Sequence, residues 1–335
     1  MAQINSAFTL FMSLMVEAMP FLLLGVLFSG LLQFFIDEQK LVAILPKNAF
    51  LGAFVGSCIG FLFPVCECGN VPVARRLMLQ GAPTSVAIGF LLAAPTINPI
   101  VFWATWTAFR DQPEIVFFRI GFSLVIATII GWVFSVQKDV RPLLQNSVAA
   151  YLTRKVDAPK TSASPLLQSG TYFLGQSTKP LITDPIELQA AMGGAITKPT
   201  DYRLRMLLDN TIQEMRELGG VLVLGSAIAS ILQVFVPRDV ILGLGQDNVT
   251  SILAMLILAA VVSICSTVDS FFALSFASTF TSGSLIAFLV FGPMIDLKGV
   301  GLMLSVFKWR AILYIFGLAG LLTFLFCLFV NLYIS

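Results

Sequence analysis

The sequence predicts an all-α polytopic membrane protein with two internal repeats of about four to five membrane segments each. The 335 residues include 20 basic and 18 acidic side chains, so charged residues make up 11% of the chain, against about 25% in soluble domains. Hydrophobic residues make up 57%, and the mean hydropathy is +0.92. Stretches without any charge approach or exceed the length of about 20 residues that crosses a bilayer; they are 18–36, 48–66, 77–109, 120–137, 218–237, 248–268, 270–295 and 311–335.

This composition excludes several classes of protein. A soluble enzyme of this size has no interior large enough for so much apolar surface, and a net charge of +2 does not indicate a nucleic-acid partner. The chain has no His, the commonest proton shuttle. It also has no Gly-x-x-x-x-Gly-Lys run for binding ATP. We therefore expect no enzymatic activity, no cofactor and no nucleic-acid partner.

The charges divide the chain into three parts. Residues 1–136 and 206–335 are the two hydrophobic halves, and 137–205 is a polar linker rich in Ser, Thr, Pro and Gly. Basic residues outnumber acidic ones in the linker, which favours a cytoplasmic loop at the inner membrane. The first segment lacks a basic start and a small-residue cleavage site, so we expect a retained helix rather than a signal peptide.

The two halves resemble each other in sequence. Residues about 200 positions apart match in three blocks that keep the same order, as in secondary transporters built from internal repeats. The alternative is chance similarity between apolar helices. The matching blocks are 17–35 with 217–235, Cys66 and Asn70 with Cys265 and Asp269, and 94–98 with 292–296.

The apolar periodicity predicts five segments in each half. They are 6–36, 48–65, 71–80, 84–108 and 115–136, then 209–236, 249–264, 270–280, 284–307 and 311–333. If the Cys block and the Pro block are both broken crossings, each half spans four times, and both termini and the linker share one side. Lys308 and Arg310 then fall outside, against the positive-inside rule. If one block is a re-entrant hairpin, the count is odd and the halves are inverted.

The first helix break is expected in a block with two prolines and a glycine, which disfavour a continuous helix. Unwound backbone at membrane depth lines cavities in transporters, so its polar side chains are candidate solute ligands. The predicted breakers are Pro64, Gly69 and Pro72, and the candidate ligands are Cys66, Glu67, Cys68 and Asn70.

The equivalent block of the second half places Cys265 and Asp269 among Ser and Thr residues. Asp269 is the single charge in residues 248–295, and a carboxylate inside a membrane segment indicates function. We expect it to bind solute or a proton. The alternative is a structural Asp that is hydrogen-bonded to neighbouring hydroxyl groups.

The third block repeats a proline followed by a polar residue. Pro95 and Pro99 flank Asn98, and Pro293 precedes Asp296, so we expect helix breaks whose polar residues face one cavity. The alternative places both breaks in interfacial loops, with Asp296 and the nearby Lys298 simply solvated.

The cysteines suggest a soft ligand. If the halves pack about a pseudo-two-fold axis, Cys66, Cys68 and Cys265 converge, and three sulfurs suit a trivalent metalloid such as As(III) and in part Cu(I). Zinc fits less well without His. Cys58 and Cys327 lie in plain apolar helices and are expected to be packing residues.

These blocks resemble the ArsP-type predicted-permease family, which includes organoarsenical efflux permeases and YraQ-like proteins without an established substrate. The resemblance implies export of a trivalent organoarsenical across the inner membrane. It places the family's thiol pair on Cys66 and Cys68 and the second-repeat motif on Cys265 and Asp269. Glu67 stands where the family usually has a small residue, which departs from the arsenical pattern. The resemblance is carried by 64–76, 81–83, 90–99, 265–273 and 287–298.

The sequence therefore predicts a secondary transporter for a small thiol-reactive solute, coupled to protons through Glu67, Asp269 or Asp296. Two alternatives stay open: a permease or channel for another solute or metal ion, and a thiol–disulfide redox protein that uses Cys66 and Cys68. The expected partners are the solute and the lipid bilayer, and a homo-oligomer is an open question.

Several paired charges have two interpretations. Arg75 and Arg76 either anchor a helix on the cytoplasmic side or guide an anion, and we favour the anchor. Glu17 and Glu217 either anchor their helices in the interface or lie in the pathway, and we favour the structural role.

Overall fold

The computed structural model describes residues 2–35, 45–46, 48–62, 67–136, 144–145, 200–235, 247–277 and 279–333. The first half contains α1 (Ala2–Phe35), α2 (Ala49–Leu62), α3 (Glu67–Leu79), α4 (Thr84–Ile97), α5 (Pro99–Ala108) and α6 (Pro113–Val136). The second half contains α7 (Thr200–Phe235), α8 (Asn248–Val262), α9 (Asp269–Leu274), α10 (Ser282–Met294), α11 (Leu297–Met303) and α12 (Trp309–Tyr333).

This helix set confirms the all-α polytopic membrane fold. Five helical spans of the described chain are long and apolar enough to cross a membrane: Ile4–Leu27, Thr84–Ala108, Pro113–Ser135, Ser282–Met303 and Trp309–Tyr333. The helices α2 and α8 are apolar but shorter. The order of elements is the same in the two halves, and α7 begins at Thr200, inside the stretch predicted as linker. The rest of 137–199, apart from residues 144–145, lies outside the described residues.

Glycines let α2 and α4 pack with their backbones nearly in contact. A Cβ atom on Gly60 would lie 2.8 Å from the Ala94 nitrogen, and one on Gly56 would lie 2.8 Å from the Val86 Cα. The contacts advance along both helices in the same direction, so α2 and α4 run parallel. Small residues that allow such close approach are a common way to join helices in membranes, where apolar faces gain little from leaving lipid.

Replacement of Gly60 by Ala is expected to destabilise the protein, because the added methyl group meets the backbone of α4 and cannot be accommodated by a side-chain rotation. We expect a loss of about 1–3 kcal/mol, the usual cost of overpacking, measured as a lower thermal unfolding midpoint in detergent. Gly121 in α6 has nothing within 4 Å of its would-be Cβ and is the matched control. Equal midpoints for the two Gly→Ala variants would contradict the close packing.

Two sets of helix ends define opposite ends of the molecule. The Gln80 end comprises the starts of α2 and α4, the end of α3 and the α11–α12 junction. Leu45, Ala82 and Val86 pack together there. Residues 144–145 also lie there, because Gln145 donates its backbone N–H to the Val306 carbonyl at 2.9 Å.

The Gln112 end comprises the starts of α6, α8 and α10 and the end of α12. A single cavity is lined by Gln112, Ser282 and Val330. At the same end, Asn331 of α12 donates from Nδ2 to the Asn248 carbonyl at 3.3 Å and to the Thr281 hydroxyl at 2.9 Å. These contacts show that α12 finishes where α8 and α10 begin.

The directions of the helices follow from these ends. The pair α2–α3 leaves the Gln80 end and returns to it, and the pair α8–α9 leaves the Gln112 end and returns to it. The pairs α4–α5 and α10–α11 continue from one end to the other. The scheme with four crossings in each half and equal orientations is therefore wrong, because it places Gln112 and Ser282 at opposite ends although they line one cavity.

Candidate functional site

The second helix of each returning pair begins in contact with the opposite half, Glu67 of α3 with Lys298 and Asp269 of α9 with Arg119. We call α2–α3 hairpin 1 and α8–α9 hairpin 2. The tip of hairpin 1 is 63–66, so the predicted break at Pro64 and the predicted ligand Cys66 lie outside the described residues. The residues that follow, Glu67 and Cys68, form the first turn of α3 and are buried.

Glu67 faces a buried lysine from the other half of the chain. The Nζ atom of Lys298 lies 3.7 Å from Oε1 of Glu67 and 3.9 Å from Oδ2 of Asp296, and the three side chains are 2%, 6% and 3% exposed. We call Glu67, Asp296 and Lys298 the lysine cluster. It joins the start of α3 to the start of α11, so it bridges the two halves. The interpretation that solvates Asp296 and Lys298 in an interfacial loop is wrong, because both are buried.

Several prolines that were predicted to break a helix lie inside one. Gly69 and Pro72 lie inside α3. The helix tolerates Pro72 because this residue is in the second turn, where it removes only the hydrogen bond to the Cys68 carbonyl. The helix α4 continues through Pro95 and ends at Ile97, and the next residue, Asn98, is extended because Pro99 follows it. Pro293 likewise lies inside α10, and the break comes at Ile295 and Asp296.

Asn98 and Asp296 have equivalent roles in the two halves. The Oδ1 atom of Asn98 accepts from the Val101 N–H at 2.9 Å, and Oδ1 of Asp296 accepts from the Gly299 N–H at 2.7 Å. Each side chain therefore caps the half-helix that follows its break. Asn98 also donates to the Ala94 carbonyl at 3.1 Å, so its amide is engaged with its own turn.

Asn70 lies one turn after Glu67 on α3 and is 2% exposed. Its Nδ2 donates to the Leu91 carbonyl of α4 at 2.6 Å. Its Oδ1 is buried without a hydrogen-bond partner in the described part of the chain. Since buried acceptors are rarely left unsatisfied, this oxygen is a candidate solute contact.

The tip of hairpin 2 is held against α11. Ser263 adopts a left-handed backbone conformation with φ 47°, and its hydroxyl accepts from the Leu297 N–H at 3.1 Å. Cys265 follows in the tip, is 3% exposed and places its sulfur 3.5 Å from the Thr267 hydroxyl. The strained Ser263 therefore turns the chain at the point where hairpin 2 meets the α10–α11 break.

Asp269 is held by an arginine that the sequence analysis did not single out. Arg119 of α6 donates to both Asp269 oxygens, at 3.1 Å from Nη1 and 2.8 Å from Nη2. The same guanidinium group contacts the hydroxyls of Thr105 and Ser270, each at 2.8 Å. We call Arg119, Asp269, Thr105 and Ser270 the arginine cluster. It is the second buried bridge between the halves.

The signal for Arg119 was present in the sequence. Arg119 lies within the predicted segment 115–136 and directly precedes the charge-free stretch 120–137, but no buried partner was predicted for it. The helix begins six residues earlier, at Pro113, which places Arg119 inside the span with 1% of its side chain exposed.

The paired charges at the Gln80 end form a separate, more exposed contact. Arg75 lies 3.2 Å from Glu217, and Arg76 lies 3.3 Å from Glu214. The two arginines therefore tie the end of α3 to the middle of α7. The two candidate thiols that the structure describes, Cys68 and Cys265, are buried at the two hairpins, and no group of three or more His, Cys, Asp or Glu suited to a metal ion occurs within the described ranges.

Comparisons with known proteins place the chain in a family. Residues 3–332 match the ArsP_1 family model, described as a predicted permease. UPF0718 protein YcgR of Bacillus subtilis (strain 168) is 39% identical over 308 residues, covering 92% of this chain and 90% of that protein. A Streptococcus mutans protein named putative two-component membrane permease complex subunit is 30% identical over 322 residues, covering 96% and 94%. No solved structure matches the chain.

The family match covers both halves and every helix described above except the last residue of α12 and the first of α1. It agrees with a multi-pass integral membrane protein that moves a small solute rather than one that catalyses a reaction. On this match, the chain belongs to the ArsP_1 family of predicted permeases.

Proposed function

We propose that the protein is a secondary permease whose solute binds between the start of α3 in hairpin 1 and the turn of hairpin 2. The observation that carries the proposal is the placement of two buried clusters of oppositely charged side chains where broken helices of one half meet the other half. Ionisable groups inside membrane proteins are costly and mark solute or proton pathways. Helix starts and unwound backbone at the midplane are the usual binding elements of such transporters.

The contacts at the helix ends support inverted repeats. Each half has three crossings, namely α1, α4–α5 and α6 in the first and α7, α10–α11 and α12 in the second, with one hairpin that enters and leaves on the same side. Hairpins 1 and 2 then enter from opposite sides. A solute between the hairpins is reached from one side or the other as the halves move, which is the requirement for alternating access.

The distribution of basic residues supports a cytoplasmic Gln80 end. The short connections there contain Lys40, Lys47 and Lys308, and Arg310 lies in the first turn of α12. The linker that leaves from this end has nine basic residues among 137–205. The connections at the Gln112 end contain Arg110 and Arg238 alone. By the positive-inside rule, the linker is cytoplasmic in an inner membrane and the end of α12 faces outward. Lys308 and Arg310 then lie inside.

The solute that we propose is a trivalent organoarsenical such as methylarsenite. Cys68 follows Glu67 at the start of α3, Cys265 occupies the tip of hairpin 2, and Cys66 directly precedes α3 in the chain. Thiols are the ligands that soft trivalent centres prefer, and Cys68 and Cys265 are buried at the hairpins rather than exposed on the surface. Exchange of the solute for a proton that binds at a buried carboxylate would supply the driving force for export.

Substitution of Cys66, Cys68 or Cys265 by Ser is expected to abolish resistance of an arsenical-sensitive bacterial host to methylarsenite, because a hydroxyl group is a poor ligand for a soft centre. The measurement is growth of cells expressing equal amounts of each variant. Cys58→Ser and Cys327→Ser are the matched controls and should retain resistance, because these residues lie within α2 and α12. Full resistance in all three test variants would remove the thiol-ligand proposal, while loss in the controls as well would indicate a general folding defect.

A further inference from the structure

Four helices surround the space between the lysine cluster and the Gln80 end. The helix α1 packs against both α3 and α7, and α11 packs against the same two helices. The helices α3 and α7 therefore lie on opposite sides of this group. Since α3 belongs to the first half of the chain and α7 to the second, the space between them is part of the boundary between the halves.

The lysine cluster closes the inner level of the space between α3 and α7. The Nζ atom of Lys298 lies 3.7 Å from Oε1 of Glu67 at the start of α3. A Cβ atom on Gly225 of α7 would lie 3.4 Å from the Cα atom of the same lysine. Lys298 of α11 therefore lies between α3 and α7 at this level. From here α3 runs toward the Gln80 end, and α7 comes from it.

Charged side chains connect α3 directly to α7 at a second level, eight residues nearer the Gln80 end on both helices. Eight residues of helix correspond to a distance of about 12 Å. Arg75 lies 3.2 Å from Glu217, and Arg76 lies 3.3 Å from Glu214. Glu214 also interacts electrostatically with Arg75, so the two pairs act together. We call Arg75, Arg76, Glu214 and Glu217 the four-charge network.

The burial of the four-charge network suits a contact that forms and breaks. The side chains of Arg75, Arg76 and Glu214 are 18%, 12% and 19% exposed, and that of Glu217 is 50% exposed. Ion pairs that water reaches contribute little to overall stability, so two of them shift an equilibrium between conformations without fixing it. The two arginines balance the two glutamates, and closure therefore leaves no unpaired charge.

We propose that the four-charge network is the cytoplasmic gate of the permease. The inference rests on the proposed transport function and orientation, and it names the contact that opens for solute at the cytoplasmic side. The network is formed in this structure, so the gate is closed. When hairpin 1 moves away from α7 and α11, the arginines of α3 leave the glutamates of α7, and water solvates both. Cys68, at the inner end of α3, is then reached from the cytoplasm.

Labelling of Cys68 in inside-out membrane vesicles tests the gate without a solute. A membrane-impermeant methanethiosulfonate is added to the full chain, and peptide mass spectrometry gives the modified fraction of each cysteine. The variant Arg75→Gln/Arg76→Gln/Glu214→Gln/Glu217→Gln should raise the labelling rate of Cys68 by about three- to tenfold, the effect expected for two pairs of this exposure. The charge-reversed variant Arg75→Glu/Arg76→Glu/Glu214→Arg/Glu217→Arg can form both pairs again and should label at the rate of the unsubstituted protein.

The controls separate a gate from a general loss of packing. Arg216→Gln changes an exposed charge on another face of α7 and should leave the labelling rate of Cys68 unchanged. Cys327, which is buried in α12, should stay unlabelled in every variant. Added salt screens partly exposed ion pairs, so it should raise the rate in the unsubstituted protein and not in the variant with four Gln substitutions.

Three results would overturn the proposal. They are equal labelling of Cys68 in the unsubstituted protein and the variant with four Gln substitutions, a charge-reversed variant that labels as fast as the Gln variant, and a rise at Cys327 that matches the rise at Cys68. A failure of the solute proposal looks different, because methylarsenite resistance would then be absent while the labelling of Cys68 still responded to the network.

Discussion

Substitution of Asp269 by Asn is expected to cause the largest loss of stability of any isosteric change in this protein. Arg119 is 1% exposed and directs both terminal nitrogens at the Asp269 carboxylate, at 3.1 and 2.8 Å. The substitution leaves the guanidinium charge buried without an anion. Removal of one partner of a buried ion pair costs about 3–5 kcal/mol in known cases, and the same mechanism applies here.

Thermal unfolding of the detergent-solubilised protein measures this effect. Glu217→Gln is the matched control, because it also removes a carboxylate from an arginine pair, but one whose glutamate is 50% exposed. Exposed pairs contribute about 0–1 kcal/mol, so its unfolding midpoint should barely change. The double variant Arg119→Met/Asp269→Leu should recover much of the loss, because no buried charge remains. An unchanged midpoint in Asp269→Asn would show that the arginine cluster does not bridge the halves.

Cysteine labelling of intact cells is expected to place the two short junctions before the last helix of each half on opposite sides of the membrane. Gln112→Cys, in the α5–α6 junction, should react with a membrane-impermeant maleimide added outside. Ser305→Cys, in the α11–α12 junction, should react only after the membrane is opened. The reason is that Gln112 shares one end with Ser282 and Val330, whereas Ser305 lies beside the Val306 carbonyl that binds Gln145 at the other end.

The unsubstituted protein gives the labelling background of the native cysteines. Gln145→Cys is a second marker for the cytoplasmic end and should behave like Ser305→Cys, because the Gln145 side chain donates to the Leu304 carbonyl at 2.9 Å. Labelling of both Gln112→Cys and Ser305→Cys from outside would restore the four-crossing scheme. It would also contradict the inverted arrangement on which the two opposed hairpins depend.

The sequence analysis located nearly all of the helices. The predicted segments 84–108 and 284–307 became α4–α5 and α10–α11, each divided where a polar residue follows a proline. Such features are readable because hydropathy, proline and capping residues act within a few positions along the chain. The predicted breaks at Gly69 and Pro72 were wrong for a related reason. A proline near the start of a helix removes too few hydrogen bonds to end it.

The pairing of the buried charges could not be read from the sequence. Arg119 and Asp269 are 150 positions apart, and Lys298 meets Glu67 across the same boundary between halves. Each of these residues is isolated in an apolar stretch, where nothing local indicates its partner. Burial was predicted for Asp269 and Glu67, because a carboxylate within a long apolar stretch lies inside the membrane region, away from water. Arg119 was overlooked because it lies at the limit of a charge-free run, and Lys298 was considered only as a solvated neighbour of Asp296.

By itself, the sequence determined that this protein is a helical membrane protein, where its helices lie, and which few carboxylates lie inside its apolar stretches. Those properties depend on composition and on neighbours along the chain. The tertiary structure alone decided that α2 and α3 return to one end of the molecule and α8 and α9 to the other, and that Glu67 and Asp296 share one lysine while Asp269 has its own arginine. The helix directions and the charge pairs depend on contacts between segments more than a hundred residues apart. Apolar helices of equal hydropathy could satisfy the same local pattern in another arrangement, so the sequence pattern does not select these contacts.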